Sequence, residues 1–246
     1  MTGARWVKAT KPKNQMRRIF YERGMRMFVK KVTILASAAM LSMIMVGSAK
    51  ASTNVEGQIL KEASTLNPKV LQLAEKAFYC ASKRGVVEKQ FLTIIDYSQP
   101  STQKRLWVID MAKAKLKFNE LVAHGSGSGD NVPTRFSDTT NSHESSLGVF
   151  VTKNTYIGHN GLSLRMQGLE PGVNDHAMQR DVVFHGADYV SEAAAESQGR
   201  IGRSWGCPAL PRAEAKDTIN TIQGGSLVFA YYPDSSWLKK SSFLSC

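Results

Sequence analysis

The feature that most constrains this chain is a succession of short runs rich in β-branched and aromatic residues, each closed by residues that favour turns. Phe91 to Tyr97 is one such run; Ser98-Gln99-Pro100-Ser101 breaks it, and Arg105 to Met111 resumes it. Lys115 to Ala123 reads as a further strand. Val149 to Thr152, Ser163 to Met166, Asp181 to Phe184 and Ser226 to Tyr232 are shorter candidates. Residues 124–148 are rich in Gly, Ser, Asn and Asp and are expected as loop. Strands do not alternate with helices, so a βαβ series is excluded and a mostly-β fold with few helices is expected.

Three helical stretches interrupt this pattern. Asn67 is a suitable N-cap, Pro68 suits the first helical position, and Val70, Ala74, Ala77 and Ala81 recur at helical spacing. Gly85 is a stop signal. A single amphipathic helix is unstable in water by itself, so this one is predicted to pack against the body. Ser191 to Gly199 reads as a short helix or a mobile loop. Ala213 to Ile222 reads as a helix ended by Gly224-Gly225.

The net charge of +12 suggests a polyanionic partner until it is located. Residues 1–31 carry ten Lys or Arg and one acidic residue, whereas residues 52–246 carry a net charge of only +2. The folded body has no basic stripe with interleaved aromatics, which argues against nucleic-acid binding. The basic segment precedes an apolar run, Val32 to Gly47, and then Ala49-Lys50-Ala51. That order is the signature of a secretory signal, so residues 1–51 are expected to be a signal peptide with a long basic n-region, cleaved after Ala51. Met25 and Met27 offer alternative starts. Export to the periplasm or cell envelope follows, with membrane contact only if the leader is retained as an anchor. Residues 52–66 read as a polar lead-in and 67–246 as the folded domain. Nothing in the sequence sets the oligomeric state.

Three cysteines remain, Cys80, Cys207 and Cys246. An odd count in an exported chain leaves one thiol free or paired with another chain. One arrangement joins Cys80 to Cys246 and leaves Cys207 reduced; spacing alone does not select it. No cysteine pair has metal-ligand spacing. His124, His143, His159 and His176, with Asp175 and Asp188, form no zinc motif, so no metal and no cofactor is expected.

The strongest local signal is Arg203-Ser204-Trp205-Gly206-Cys207-Pro208-Ala209. Gly206 permits a backbone conformation or close approach that a Cβ would forbid, while Pro208 fixes its own φ and biases Cys207 toward extended backbone. Such a turn can present a sulfur and an amide N–H to one pocket; the alternative is a buried structural cysteine. His185 lies at the end of the apolar run Asp181-Val182-Val183-Phe184, with Gly186 leaving room beside it. An imidazole there can take a thiol proton. Arg165 and Arg203 are candidates to hold an anionic substrate group through paired N–H donors, and Tyr156 to line the same cleft.

These residues resemble the murein L,D-transpeptidase catalytic domain family, a divergent YkuD-like branch. The marks are IIDYSQPSTQKRLWVID, LVAHGSGSG, SSLGVFVT, YIGHNGLSLRMQGLEPG, VVFHGADYVS and GRSWGCPALP, spread from about Leu66 to Tyr232. The resemblance implies a compact β-sandwich with a packed N-terminal helix. It also implies Cys207 as nucleophile, His185 as base, and an oxyanion site from the N–H groups of Cys207 and Gly206. Gly186, Arg203, Ser204 and Trp205 would border the substrate with Tyr156 and Arg165. The partner implied is a peptidoglycan stem peptide, and the reaction a 3→3 cross-link with release of D-alanine. An L,D-carboxypeptidase or endopeptidase would use the same site, and a non-catalytic wall-binding protein is the remaining alternative. Two positions depart from the usual family pattern: Trp205 replaces a histidine before Gly-Cys, and Pro208-Ala209 replaces a stretch with a polar residue.

Overall fold

The structure is a computed structural model that describes residues 55–246; the expected leader, its basic segment and its cleavage site lie outside the described residues. Residues 55–62, expected as polar lead-in, are helical, and Ile59, Ala63 and Leu66 are buried.

Helix α1, Pro68–Lys83, forms where the capping signals put it: the Asn67 side chain accepts from the Lys69 N–H at 2.9 Å, with Pro68 in the first turn. Gly85 follows at φ 70°. The face carrying Val70, Leu71, Ala74, Ala77, Phe78 and Ala81 is buried. Each large apolar side chain so buried contributes roughly 1.5–3 kcal/mol. The helix packs on strands β1 (Phe91–Asp96) and β8 (Leu227–Tyr231). Disulfide-bonded Cys80 and Cys246, with Cα atoms 5.8 Å apart, fasten the end of the chain to this helix.

The remaining strands are β2 (Leu106–Asp110), β3 (Lys115–Glu120), β4 (Gly148–Gly158), β5 (Gly161–Gly168), β6 (Val183–Ala187) and β7 (Ala209–Pro211). They form one mixed eight-stranded sheet in the order β3-β2-β1-β8-β4-β5-β6-β7. β1 runs parallel to β8 and β6 parallel to β7; the other neighbours are antiparallel. The ends of the sheet approach each other beyond β3, where the Ala123 N–H donates to the Ala209 carbonyl at 2.9 Å and Gly125 bridges Ser204. The architecture is thus the expected mostly-β domain, with its sandwich layers drawn from one nearly closed sheet. The contact also explains why the expected strand 115–123 stops at Glu120: its last residues leave β2 and meet β7.

Three differences from the sequence reading bear on the site. The β4–β5 hairpin is longer than expected, because its outer half is only partly buried and lacks a continuous apolar run. β7 was unforeseen, being three residues beside Pro208. Helix α4 (Ser235–Lys240) was also unforeseen; Asp234 caps it and Trp237 anchors it. The two other helices, α2 (Glu192–Gln198) and α3 (Arg212–Ile222), lie near their expected places.

Candidate active site

Cys207 sits in a turn pinned from both ends. Ser204 Oγ accepts from the Gly206 N–H at 3.1 Å and donates to the Cys207 carbonyl at 2.7 Å. The Ala209 N–H reaches the same carbonyl at 3.1 Å, closing a tight turn over Pro208. Gly206 has φ 121°, and a Cβ there would lie 2.8 Å from the Glu144 carbonyl. Glycine is therefore required both for the dihedral and for the close approach of Glu144. The Gly206 N–H, an expected oxyanion donor, is bonded to Ser204 within the turn. Ser204 is a brace of the turn.

Cys207 is largely buried and held by the segment entering β6. The Val183 N–H approaches Sγ at 3.5 Å, and the thiol donates to the Asp181 carbonyl at 3.4 Å. Asp181 has φ 53°, a left-handed conformation that costs a non-glycine residue energy and persists where the surroundings enforce it. Here it turns the carbonyl toward the sulfur.

Register sets His185 beside the strand that follows the turn. His185 pairs with Ala209 across β6–β7, two residues beyond Cys207. Its Nδ1 lies 3.1 Å from the Gly186 carbonyl. A carbonyl only accepts, so Nδ1 carries the proton and Nε2 keeps its lone pair. Asp188 is turned away, ion-paired with Arg212 on the surface.

Cross-strand partners share a face of a sheet, so the register also defines the surface around His185. Tyr156 pairs with Ser163 and Ser163 with His185, while Arg165 pairs with Val183. Tyr156, Ser163, Arg165, Val183 and His185 therefore lie on one face. The Arg165 guanidinium stacks on the Tyr156 ring at 4.1 Å. Gly186 points to the other face, where a Cβ would meet Ala215 and Arg212 of α3 at 3.0 and 3.3 Å. The room expected beside it is filled by that helix, so its role is packing. Arg203 donates to the Gly129 carbonyl at 2.8 Å and pairs with Asp130 at 3.5 Å, bracing the glycine-rich loop. Trp205 is 77% exposed, its ring stacked on His143 with centroids 4.7 Å apart and planes 6° from parallel.

Several polar residues behind the turn were not singled out in the sequence. Arg180 is buried: it donates to the carbonyls of Ser137 (2.7 Å) and Glu144 (2.8 Å) and to Ser146 Oγ (2.7 Å). Asp138 lies 3.6 Å away as its counter-ion. Ser145 Oγ donates to the Gly206 carbonyl at 3.2 Å and accepts from the Gly125 N–H. Deeper still, Arg105 donates to the carbonyls of Gln99 and Val122 and to His124 Nδ1 at 2.8 Å, and stacks on Tyr97. These groups come from positions up to about a hundred residues from Cys207, and only residues adjoining a recognisable turn carried a local signal. Asp138, Asp175 and His176 bring ligand-type atoms within 4.8 Å, but Asp138 is already paired with Arg180 and His176. A cavity of about 530 Å³, between α4 and residues 170–173, includes neither Cys207 nor His185.

Burial dominates the electrostatics. It raises the Cys207 thiol above its ordinary value; the Asp181 carboxylate adds to this, while the Val183 N–H and Arg180 oppose it. Burial also lowers His185, partly offset by the Gly186 carbonyl and reinforced by Arg212. Both shifts favour the neutral forms, a thiol at Cys207 and an unprotonated imidazole at His185. His124 is lowered to about 4 by burial and then Arg105, which keeps it neutral under the turn. Tyr189 is pushed up to about 12, by burial and then by the nearby Cys207 sulfur.

A family model described as L,D-transpeptidase catalytic domain matches residues 62–231. No curated protein matches the chain. Among solved structures, an L,D-transpeptidase from Mycobacterium smegmatis is 13% identical, with 58% of this chain and 59% of that one covered and a TM-score of 0.36. An L,D-transpeptidase from Mycobacterium tuberculosis H37Rv is 14% identical, with 58% of each chain covered and a TM-score of 0.35. The helical cell shape determining protein Pgp2 from Campylobacter jejuni, as a K307A mutant, is 11% identical, with 65% and 55% covered and a TM-score of 0.39. The chain thus spans less than two thirds of the length of these structures. The family match runs from just before α1 to the end of β8 and takes in the whole sheet and both Cys207 and His185, and on it the chain belongs to the YkuD-like L,D-transpeptidase catalytic domain family.

Proposed function

We propose that this protein is a peptidoglycan L,D-transpeptidase of the cell envelope, working through a Cys207 acyl-enzyme. The observation that supports the reading is that His185 on β6 pairs with Ala209, two residues after Cys207 in the turn leading into β7, within the family-matched region. Cys207 attacks the carbonyl that joins the L-centre of meso-diaminopimelate to D-alanine in a tetrapeptide stem. Since thiol and imidazole are both neutral at rest, His185 Nε2 takes the proton as the C–S bond forms. The N–H of Cys207 is the turn's donor for the oxyanion, the Gly206 N–H being occupied. Collapse of the intermediate breaks the C–N bond, and His185 returns the proton to the departing D-alanine amine. The amine of a second stem then attacks the thioester, forming the 3→3 amide and releasing the thiol. The Tyr156–Arg165 pair, on the same sheet face as His185, supplies a cation for the stem's carboxylates.

The test is incubation of wild type and Cys207→Ala with purified tetrapeptide muropeptides, with products read by mass spectrometry. Cysteine-dependent dimers with loss of D-alanine are expected. Tripeptide monomers alone would replace transpeptidation by L,D-carboxypeptidase hydrolysis at the same site. Full turnover by Cys207→Ala would overturn both.

A further inference from the structure

Trp205 is an anomaly of exposure. The other indoles among the described residues, Trp107 and Trp237, are buried, whereas Trp205 is 77% exposed two residues from Cys207. It is not a loose side chain. Its backbone lies inside the turn that Ser204 ties at both ends, and the Ser204 N–H and carbonyl are themselves bonded to His124 and Ser126. One face of the ring is covered by His143, nearly parallel at 4.7 Å. His143 has φ 55° and Asn141, two residues earlier, φ 60°. Two non-glycine residues in the left-handed region cost energy, and here the loop spends it in setting an imidazole beneath the indole. The product is a rigid flat apolar surface, backed on one side and bare on the other.

Two charged groups behind the turn are paired: Glu144 pairs with Arg135 at 3.5 Å, and Arg180 is engaged by Ser137, Ser146, Glu144 and Asp138. A platform of this kind suits a neutral ring with one apolar face and a polar rim, which describes a pyranose: its C–H groups lie on the π face and its hydroxyls point outward. Reach agrees with this. The scissile bond follows the third residue of a stem, and three extended residues span at most about 11 Å. A sugar at the base of the stem therefore falls within range of a side chain two positions from the nucleophile.

We propose that the bare face of Trp205, backed by His143, is a binding platform for a neutral N-acetylated pyranose of the glycan that carries the stem peptide. This rests on the reading of the site as one that acts on peptidoglycan, and it assigns the turn a saccharide specificity beyond the peptide chemistry.

The test uses chitotetraose, an N-acetylglucosamine oligomer without peptide, titrated into the Cys207→Ala protein with the heat of binding, by isothermal titration calorimetry, as readout. A saturable change is expected. It should be lost in Cys207→Ala/Trp205→Ala and weakened at least threefold in affinity in Cys207→Ala/His143→Ala, which removes only the backing ring. No saturable change, or one that persists without Trp205, overturns the proposal. If Trp205→Ala loses its cooperative melt, the His143→Ala arm decides: unchanged affinity overturns the platform. In active protein, Trp205→Ala should raise the ratio of KM for glycan-bearing over sugar-free tetrapeptide at least fivefold, and an unchanged ratio contradicts it. Binding of the oligosaccharide needs no turnover. A protein that binds it but leaves muropeptides intact would therefore sink the catalytic reading and keep the platform.

Discussion

The thiol of Cys207 donates to the carbonyl of Asp181 at 3.4 Å, and Asp181 adopts a left-handed backbone to present it. The same residue contributes a carboxylate that raises the thiol pKa, while Arg180, its neighbour in sequence, lowers it. Two adjacent residues of opposite charge thus bias one sulfur in opposite directions. Asp181→Asn keeps a side chain that tolerates the left-handed region but removes the charge. It is expected to move the pH midpoint of Cys207 alkylation by iodoacetamide downward. Arg180→Gln is expected to move it upward. Shifts of the same sign in both variants would mean that loop rearrangement, and not charge, governs the thiol.

The acid limb of activity reports His185. Burial lowers its pKa, so the imidazole stays unprotonated to lower pH than a free one. In kcat/KM against pH, the acid-side midpoint is expected below the ordinary histidine value of about 6.5. His185→Gln should lower kcat/KM by roughly 10²–10⁴-fold and abolish that limb. A midpoint above the ordinary value would contradict the neutral pair.

Arg105 is fully buried and serves three acceptors beneath the turn: Gln99 O, Val122 O and His124 Nδ1. Arg105→Leu strands all of them. A loss of about 3–5 kcal/mol in unfolding free energy is expected from urea denaturation. A loss under about 1 kcal/mol would show that the acceptors find other donors.

The Cys80–Cys246 disulfide closes a loop spanning nearly the whole described chain, with a sequence separation of 166. Cross-linking over such a length restricts the unfolded chain, and its removal is expected to cost about 2–5 kcal/mol. Urea denaturation of Cys246→Ser beside wild type measures this. Equal midpoints would place the bond outside the cooperative unit.

What could be read in the sequence, and what could not, follows from range. Helix α1 was legible because Asn67, Pro68 and the apolar spacing after Val70 are local signals. Cys207 and His185 stood out as candidates because each adjoins a glycine at a recognisable turn or strand end, and the turn and the strand are there. Arg203 and Gly186 were visible for the same reason, but the sequence does not show that Gly129 and Asp130 bond the first, or that α3 packs against the second. Arg180, Asp181, Ser145 and Tyr189 gave no local signal, since their bearing on Cys207 arises only once β5, β6 and the 124–148 loop are folded together. The Cys80–Cys246 pairing was one open arrangement until the end of the chain was seen to return to α1.

The central claim is that Cys207 forms an acyl-enzyme, and peptide-mapped mass spectrometry of the protein quenched during reaction with a tetrapeptide donor tests it most directly. The account expects one adduct with the mass of the donor minus D-alanine, on the peptide containing Cys207, absent in Cys207→Ala and slow to form in His185→Gln. Turnover with no adduct on Cys207, or an adduct mapping to another residue, would contradict it.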